Sequence, residues 1–279
     1  MKILITGSNG MLGQDLRKVL DEKHELICTT SKTLDITDKN QTIEVIKTFN
    51  PDIVINSAAY TDVDGCEENI DTAYAVNGEG VRNLALACRE VDCSLVHIST
   101  DYVFNGKSER PWVEDDEVGP VSVYGKSKLQ GEEAIQEILD KFFIIRTAWL
   151  YGLNGKNFPK TMLELARNHS EISVVYDEVG SPTYTPDLTY GISQLIETDY
   201  YGIYHMTNSG SCSWCEFAKY IFEVAGSDVE VIPVTASEFA RPAPRPSYSV
   251  LENKKWVEKG FKPLRNYKQA VKEYIELIK

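Results

Sequence analysis

The feature that most constrains the fold of this chain is a glycine-rich turn between an apolar run and a helical pattern. Lys2 to Thr6 form a short apolar run, and Gly7, Gly10 and Gly13 follow it directly in Gly-Ser-Asn-Gly-Met-Leu-Gly. Apolar residues then recur at helical spacing as far as Leu20. A strand, a glycine turn and a helix are therefore predicted in this order.

The glycine turn is suited to binding the pyrophosphate of a dinucleotide. Glycines let a ligand come close to the backbone, and the start of a helix supplies free N–H groups for an anion. The spacing is Gly-x-x-Gly-x-x-Gly, one residue longer at its first gap than the Gly-x-Gly-x-x-Gly fingerprint. Three glycines could by themselves form an ordinary loop, but their position after the first strand favours dinucleotide binding.

Apolar runs and helical patterns alternate through the first half of the chain. The apolar runs are Lys2 to Thr6, Leu26 to Thr30, Ile53 to Ser57, Leu95 to Ser99 and Phe143 to Thr147. The helical patterns between them are Gln14 to Leu20, Lys39 to Phe49, Thr72 to Glu90 and Ser127 to Leu139. This alternation predicts an α/β fold, a Rossmann-like doubly wound parallel sheet with helices on both faces.

The pattern changes beyond Tyr151, where glycine and proline break the sequence into shorter pieces. Residues 1–150 would form a dinucleotide-binding domain, with return segments near 185–210 packing back on it. Residues 151–279 would form mainly a smaller C-terminal α/β substrate-binding lobe. In this lobe we predict strands at 173–176 and 229–234, and helices near 157–169, 213–225 and 266–278.

Composition limits the kinds of partner that the chain can bind. A net charge of −13 and a pI near 4.9 argue against nucleic acid or an anionic membrane as a partner. No apolar stretch approaches the roughly 18 residues that span a membrane, and no signal-peptide pattern precedes the first strand. A cytoplasmic protein without a membrane partner is expected.

The six cysteines lack the spacing of a secreted disulfide framework. Cys212 and Cys215 form a C-x-x-C, which is compatible with a redox pair or with half of a zinc site. The four histidines are scattered, and no second C-x-x-C completes such a site. We therefore interpret both cysteines as buried small side chains at the start of a helix.

Polar residues that suit catalysis follow the fourth apolar run. In open parallel sheets ligands lie at the carboxyl ends of the strands, and Ser99-Thr-Asp-Tyr102 stands at such an end. Tyr124 and Lys128, in Tyr-Gly-Lys-Ser-Lys, lie one helical turn apart on the same face. Tyr-x-x-x-Lys alone is common by chance, but its position behind four βα units and a glycine turn gives it weight.

This set of residues suits the transfer of a proton to a carbonyl while hydride arrives from a dinucleotide. A neighbouring ammonium favours the phenolate of a tyrosine and brings its pKa towards the working pH. Lys128 would tune Tyr124 in this way while hydrogen-bonding the cofactor ribose, and Thr100 would hold the carbonyl oxygen with Tyr124. The predicted catalytic residues are Tyr124, Lys128 and Thr100.

At this point the chain resembles the extended short-chain dehydrogenase/reductases and, within them, the family of dTDP-4-dehydrorhamnose reductases. The similarity covers essentially the whole chain. It is carried by Leu34-Asp-Ile-Thr37, Asn56-Ser-Ala-Ala-Tyr-Thr-Asp-Val-Asp64, Ser99-Thr-Asp-Tyr-Val-Phe104, Tyr124-Gly-Lys-Ser-Lys128, Arg146-Thr-Ala-Trp-Leu-Tyr-Gly152, Gly155-Lys-Asn-Phe158, Gly180-Ser-Pro-Thr-Tyr-Thr185, Gly202-Ile-Tyr-His205 and Arg241-Pro-Ala-Pro-Arg-Pro246.

The resemblance implies NAD(P)H-dependent reduction of the C4 keto group of a dTDP-sugar, dTDP-4-dehydro-L-rhamnose, in the synthesis of precursors for cell-surface polysaccharides. It implies that Thr100, Asp101 and Trp149 meet this substrate. It also implies a set of residues that bind the cofactor: Gly7, Gly10, Met11, Leu12, Gly13, Thr30, Asp35, Ile36, Ala59, Tyr60, Thr61, Tyr124 and Lys128.

Some of these residues have structural alternatives. Asp35 could cap the helix that follows it, because aspartate is a preferred cap, and capping could coexist with a cofactor contact. Trp149 could belong to the core, since large aromatic residues are highly buried on average. Arg241 and Arg245 suit a diphosphate, but a structural proline-rich loop accounts for them nearly as well.

The chain also departs from the family pattern. Relatives that prefer NAD place an acidic residue at the end of the second strand, whereas this chain has Thr30-Ser-Lys32, so we predict that NADPH is used at least as well as NADH. Glu178 stands where the family commonly has Gln, which puts one hydrogen bond in doubt.

Some family members use Mg²⁺ at a dimer contact. Only Asp15 offers a counterpart, so no metal site is assigned, and the oligomeric state is left open with a homodimer as one candidate.

Three other functions share this architecture. A sugar-nucleotide dehydratase usually has Asp-Glu after the threonine, whereas here Asp101 is followed by Tyr102. An epimerase also uses Tyr and Lys but keeps its NAD tightly bound. Regulatory subunits of methionine adenosyltransferase act by binding a partner, and the intact Tyr124, Lys128 and Thr100 favour an enzyme instead.

Overall fold

A computed structural model describes residues 1–278 of the chain. The strands are β1 (Lys2–Thr6), β2 (Glu25–Cys28), β3 (Ile53–Asn56), β4 (Ser94–Thr100), β5 (Phe142–Thr147), β6 (Leu150–Tyr151), β7 (Glu171–Val175), β8 (Val179–Gly180), β9 (Thr183–Tyr184), β10 (Gly202–His205), β11 (Cys212–Ser213) and β12 (Glu230–Val234). The helices are α1 (Met11–Leu20), α2 (Lys39–Phe49), α3 (Val63–Glu68), α4 (Ile70–Tyr74), α5 (Gly80–Val91), α6 (Val123–Ile138), α7 (Phe158–Leu165), α8 (Thr185–Leu195), α9 (Trp214–Ala225), α10 (Lys254–Glu258) and α11 (Tyr267–Ile278).

The central sheet has six parallel strands in the order β2-β1-β3-β4-β5-β10. Its inner strands are buried on both faces, as β3 shows with all four residues buried, because helices cover both sides. Apolar side chains of α1 and α8 pack on one face, and those of α2, α5 and α6 pack on the other. The predicted Rossmann-like doubly wound α/β fold is confirmed.

The strand order places a ligand crevice beside β1. The chain goes from β1 to β2 on one side and then crosses to β3 on the other side of β1. Helices that follow strands on opposite sides of such a switch point leave a crevice outside the carboxyl ends of the strands. The glycine turn after β1 therefore opens into this crevice.

The second half of the chain builds a smaller cluster beside the sheet. β7 and β12 pair in parallel, and an apolar core that includes Met162 of α7, Phe217 of α9 and Tyr274 of α11 packs near them. α8 and β10 instead pack with the main sheet. The proposed division into two domains near residue 150 stays a prediction.

One predicted helix is interrupted in the structure. Residues 72–90, predicted as one helix, contain the end of α4, a π-helical turn at Ala75–Glu79 and most of α5. α6 lies close here, since a Cβ at Gly78 would come within 2.5 Å of the Gln130 side chain. Across residues 1–278, no helix is both long and apolar enough to cross a membrane.

Candidate active site

A cleft of about 390 Å³ lies at the carboxyl ends of β1, β2 and β3. Several of the residues predicted to bind the cofactor line it, which brings together segments that are distant in sequence. Its lining consists of Gly7, Asn9, Gly10, Thr30, Ser31, Leu34, Asp35, Ile36, Thr37, Ser57, Ala58, Ala59, Tyr60 and Val76.

The glycine turn can adopt its path only because Gly7 and Gly13 lack side chains. Gly7 has a φ of +63°, and a Cβ there would lie 2.7 Å from the backbone N of Ala58. A Cβ at Gly13 would collide with the carbonyl of Gly7. Among the described residues no side chain caps the start of α1 at Gly10, which itself lines the cleft, and an uncapped helix start supplies N–H groups to an anion. The turn thus fits the pyrophosphate of a dinucleotide.

The remaining predicted cofactor residues lie outside the cleft lining. Met11 is the first residue of α1, and its side chain neighbours Gly152 and Gly155. Leu12 belongs to the apolar core, so only its backbone can meet a ligand. Gly13 packs against the turn itself, and Thr61 is exposed at the rim beside Tyr60. Their roles towards a cofactor stay predictions.

Asp35 does not cap the helix that follows it. It lines the cleft, and its carboxylate accepts hydrogen bonds from the backbone N and the hydroxyl of Thr37 at 3.0 and 2.8 Å. The cap of α2 is Asp38, which accepts from Gln41 N at 3.0 Å. The capping alternative for Asp35 is therefore wrong, and its side chain stays at the cleft.

Thr100 and Tyr124 meet where β4 ends against the start of α6. Ser122 caps α6 by accepting from Gly125 N at 3.1 Å. A Cβ at Gly125 would collide with the carbonyl of Tyr102, so the first turn of α6 touches the segment that follows Thr100. This close approach brings the Tyr124 phenol to the Thr100 hydroxyl.

The electrostatics of Tyr124 differ from the sequence-based expectation. Burial raises the pKa of Tyr124 above its usual value, and interaction with Thr100 offsets this only in part. The predicted lowering of this pKa by Lys128 is not seen. Lys128 is itself buried, its Nζ donates to the carbonyl of Ile98 at 2.6 Å, and burial lowers its own pKa to about 8.

His97 is a site residue that sequence reasoning missed. It is fully buried in β4, and its Nε2 lies 3.2 Å from Lys128 Nζ. A lone histidine within an apolar run is ordinarily interpreted as part of the core. The signal that could have identified it is the alternation of side chains along β4, which places His97 on the same face of the sheet as Ser99.

Asp101 and Trp149, both predicted to meet the substrate, have different surroundings. Asp101 is buried and accepts from the Thr100 hydroxyl at 3.0 Å, and burial raises its pKa to about 6. Trp149 has a φ of +47° and is partly buried, with its ring stacked on Trp214 at 3.4 Å between centroids. It therefore packs against the core of the second half while lying at the carboxyl end of β5.

The two arginines of the proline-rich loop differ in their contacts. Arg245 forms an ion pair with Asp64 at 2.9 Å. Arg241 is exposed, with its guanidinium 4.9 Å from the Phe239 ring centroid. Glu178 is buried nearby, and its burial raises its pKa while both arginines lower it.

Within residues 1–278 no three His, Cys, Asp or Glu side chains cluster as metal ligands. Cys212 and Cys215 are buried where β11 meets α9, in agreement with our interpretation of them. Asp15 is buried in α1 and accepts a hydrogen bond from Thr185, and burial raises its pKa.

Comparison with known proteins identifies the family of the chain. The family model described as RmlD substrate binding domain matches residues 1–279. The spore coat polysaccharide biosynthesis protein SpsK of Bacillus subtilis is 45% identical, over 99% of this chain and 97% of that protein. A dTDP-4-dehydrorhamnose reductase of Streptomyces griseus is 43% identical, over 97% of this chain and 91% of its own length.

Solved structures agree with this similarity. A dTDP-4-dehydrorhamnose reductase from Clostridium acetobutylicum superposes with a TM-score of 0.98 at 47% identity, covering 100% of this chain and 99% of that one. A dTDP-4-dehydrorhamnose reductase from Bacillus anthracis, in complex with NADP, has a TM-score of 0.97 at 43% identity and covers 99% of both chains.

The prediction of an oxidoreductase is confirmed by these relatives. The family model spans the whole sequence, and relatives above 40% identity match nearly all of it. The chain therefore belongs to the RmlD substrate binding domain family, that of the dTDP-4-dehydrorhamnose reductases.

Proposed function

We propose that this protein reduces the C4 keto group of dTDP-4-dehydro-L-rhamnose to dTDP-L-rhamnose with NADPH. The observation that carries the proposal is the junction of β4 and α6, where Thr100 and Tyr124 meet, in a sheet whose carboxyl end also forms the cleft at the glycine turn. The names of its relatives supply the sugar nucleotide, because the described site by itself indicates only a carbonyl substrate.

The preference for NADPH is supported by the end of β2. Thr30 and Ser31 line the cleft with hydroxyl groups, and the exposed Lys32 follows them. Hydroxyls and a lysine accept a 2′-phosphate, whereas NAD-preferring sites place a carboxylate there. The Bacillus anthracis relative in complex with NADP agrees with this preference, and NADH stays an additional cofactor to test.

The dinucleotide, when bound, supplies the hydride, and side chains of this chain supply the rest of the chemistry. The Tyr124 phenol, protonated because burial raises its pKa, donates its proton to the alkoxide oxygen that forms at C4. Thr100 holds the same oxygen by turning its hydroxyl towards it from Asp101 Oδ1, to which it donates at 3.0 Å in the structure. Lys128 holds the buried polar groups next to Tyr124 in place. Asp101 and Trp149 orient the sugar nucleotide.

The alternatives receive less support from the site. Elimination of water needs a further acid beside Asp101, but Tyr102 stands there with its ring 5.5 Å from that of Tyr124. A purely regulatory subunit would not need the buried Thr100, Tyr124 and Lys128 arrangement. A cytoplasmic location and a homodimer stay predictions.

The test is the loss of NADPH absorbance after purified protein is mixed with dTDP-4-dehydro-L-rhamnose, with NADH run in parallel. Oxidation that yields dTDP-L-rhamnose supports the proposal, and the two rates rank the cofactors. If neither cofactor is oxidised and NAD is retained through purification, the protein is an epimerase instead. A stable complex with a partner protein and no turnover would indicate a regulatory subunit.

A further inference from the structure

The first turn of α6 is held by a carboxylate from another helix. Glu67 of α3 accepts a hydrogen bond from the backbone N–H of Val123 at 2.8 Å, and this bond is partly buried. Val123 is the first residue of α6 and the neighbour of Tyr124. The first N–H groups of a helix have no acceptor within the helix, so Glu67 supplies the missing acceptor from outside.

The close contact of α6 with the end of β4 explains why this carboxylate comes from another helix. A helix often carries its own acid at the third position, as α9 does with Glu216, which accepts from Ser213 N at 2.8 Å. The third residue of α6 is Gly125, and a Cβ there would collide with the carbonyl of Tyr102. The first turn of α6 contains no acidic residue, so the carboxylate that a helix start favours is provided by α3.

The helix that carries Glu67 is itself fixed beside the site. Asp62 caps α3 by accepting from Gly65 N at 3.0 Å. Cys66, which precedes Glu67 in the chain, is fully buried and close enough to Tyr124 to raise the pKa of its phenol. A fixed acceptor on α3 can therefore determine where the first turn of α6, and the phenol that it carries, lie.

We propose that Glu67 is a positioning residue that holds the first turn of α6 in place and, with it, the Tyr124 phenol at the Thr100 hydroxyl. On the other side of Tyr124, Ser122 accepts the N–H of Gly125 at 3.1 Å, so the residues that flank Tyr124 are both bound. The effect of Glu67 on turnover rests on the proposed function, in which Tyr124 donates a proton. Misplacement of a reacting group by about 1 Å can cost about 100-fold in rate.

The bond itself is tested by amide hydrogen exchange of the full chain labelled with ¹⁵N-valine, without substrate. We expect exchange at Val123 to be at least about tenfold faster in Glu67→Ala, because a hydrogen bond to a charged group is lost. Exchange in Glu67→Gln should stay close to wild type, since the amide oxygen still accepts. Loss of one signal in a Val123→Ile variant assigns the resonance. Equal exchange in wild type and Glu67→Ala would overturn the proposal.

The effect on the chemistry is tested with the same two variants. In Glu67→Ala we expect kcat to fall by about 10- to 100-fold, while KM for NADPH stays within a few-fold. In Glu67→Gln most of the wild-type kcat should be retained. The solvent isotope effect on kcat should rise in Glu67→Ala, because proton donation from a displaced phenol becomes slower than hydride transfer. Partial unfolding would lower kcat without changing this isotope effect.

Asp52→Ala is the matched control. The Asp52 carboxylate also accepts a backbone N–H, that of Lys2 at 2.7 Å, but it does so where β1 and β3 begin, at the opposite edge of the sheet from the site. Loss of this bond should leave kcat and the isotope effect unchanged. The proposal is wrong if kcat falls no further in Glu67→Ala than in Asp52→Ala, or if Glu67→Gln is as impaired as Glu67→Ala.

These outcomes separate the inference from the proposed function. The exchange measurement needs neither substrate nor turnover, and if Glu67→Ala does not fold, Glu67→Asp, one methylene shorter, replaces it with the same expectations. If exchange at Val123 depends on Glu67 but no ketone is reduced by wild type, the proposed function fails and the role of Glu67 in holding α6 stands. If ketone is reduced and Glu67→Ala frees the Val123 N–H without loss of kcat, the inference fails and the function stands.

Discussion

At the scale of single residues, the phenol of Tyr124 is the group on which turnover should depend most. Tyr124→Phe removes the proton donor and keeps the ring, so we expect kcat to fall by about 10²- to 10⁴-fold. The affinity for NADPH, measured by quenching of protein fluorescence, should stay within a few-fold because the ring still fills its place.

Tyr102→Phe is the matched control for Tyr124→Phe. Its ring lies edge-on to that of Tyr124 with centroids 5.5 Å apart, so it shares the environment without the position at Thr100. We expect kcat in this variant to stay within a few-fold of wild type. A Tyr124→Phe enzyme with near wild-type kcat would show that another group protonates the alkoxide.

Ser31 allows the cofactor preference to be tested at a second residue. Its side chain lines the cleft just beyond β2, where a carboxylate would repel a 2′-phosphate and accept from a 2′-OH. Ser31→Asp should raise KM for NADPH by at least about tenfold, since opposed like charges cost several kcal/mol. KM for NADH should change little. Equal losses for both cofactors, or a similar loss in Ser31→Ala, would place the 2′-phosphate elsewhere.

At the scale of elements, the contact between α6 and the end of β4 should set both stability and activity. Gly125→Ala would drive a Cβ into the carbonyl of Tyr102, and overpacking of this kind costs about 1–3 kcal/mol. We expect the free energy of unfolding, measured in urea, to fall by this amount. We also expect a lower kcat because Tyr124 moves away from Thr100.

Gly119→Ala is the control, since its Cβ would meet its nearest atom at an ordinary 3.6 Å. An equally active Gly125→Ala enzyme would contradict this account of the site.

The elements themselves could largely be predicted from sequence. The five apolar runs of the first half correspond to β1–β5, because strands buried on both faces are continuous apolar runs. The two-residue strands, such as β6 and β9, carry no such signal and form only where segments happen to meet. The π-helical turn at Ala75–Glu79 was also not predictable, since it depends on the approach of α6.

The candidate site was predictable to the extent that it is local. The glycine turn follows β1 in sequence, so its place at the cleft could be inferred from spacing alone. A hydrogen-bonded link from Asn56 through His97 to Lys128 joins β3, β4 and α6, and no sequence separation reveals it. The pKa of Tyr124 was expected in the wrong direction for the same reason, because burial is a property of the packed structure.

At the scale of the whole molecule, an ion pair and a backbone hydrogen bond connect the proline-rich loop of the second half to the first half. Arg245, only 10% exposed at its side chain, pairs with Asp64 of α3, and Ala243 N donates to the same carboxylate at 3.1 Å. These bonds lower the pKa of Asp64 below its ordinary 3.8. A lowered pKa stabilises the fold above pH 3.8, and the gain is lost as pH falls through the folded value.

Asp64→Asn should therefore destabilise the protein at pH 7 by about 1 kcal/mol, a modest value because the Asp64 side chain is partly exposed. In urea unfolding, the difference from wild type should hold from pH 7 to 5 and shrink as pH falls through and below 4, since wild-type Asp64 is then protonated too. Glu258→Gln, in the exposed pair with Lys254 at 3.8 Å, should cost almost nothing at any pH. A constant cost of Asp64→Asn down to the lowest pH would mean that packing, and not charge, holds the loop.

The KM for the sugar nucleotide in Asp64→Asn tests the role of the loop in binding. A raised KM would indicate that the pair positions the loop over the substrate, whereas a lowered KM would mean that freed Arg245 binds the diphosphate.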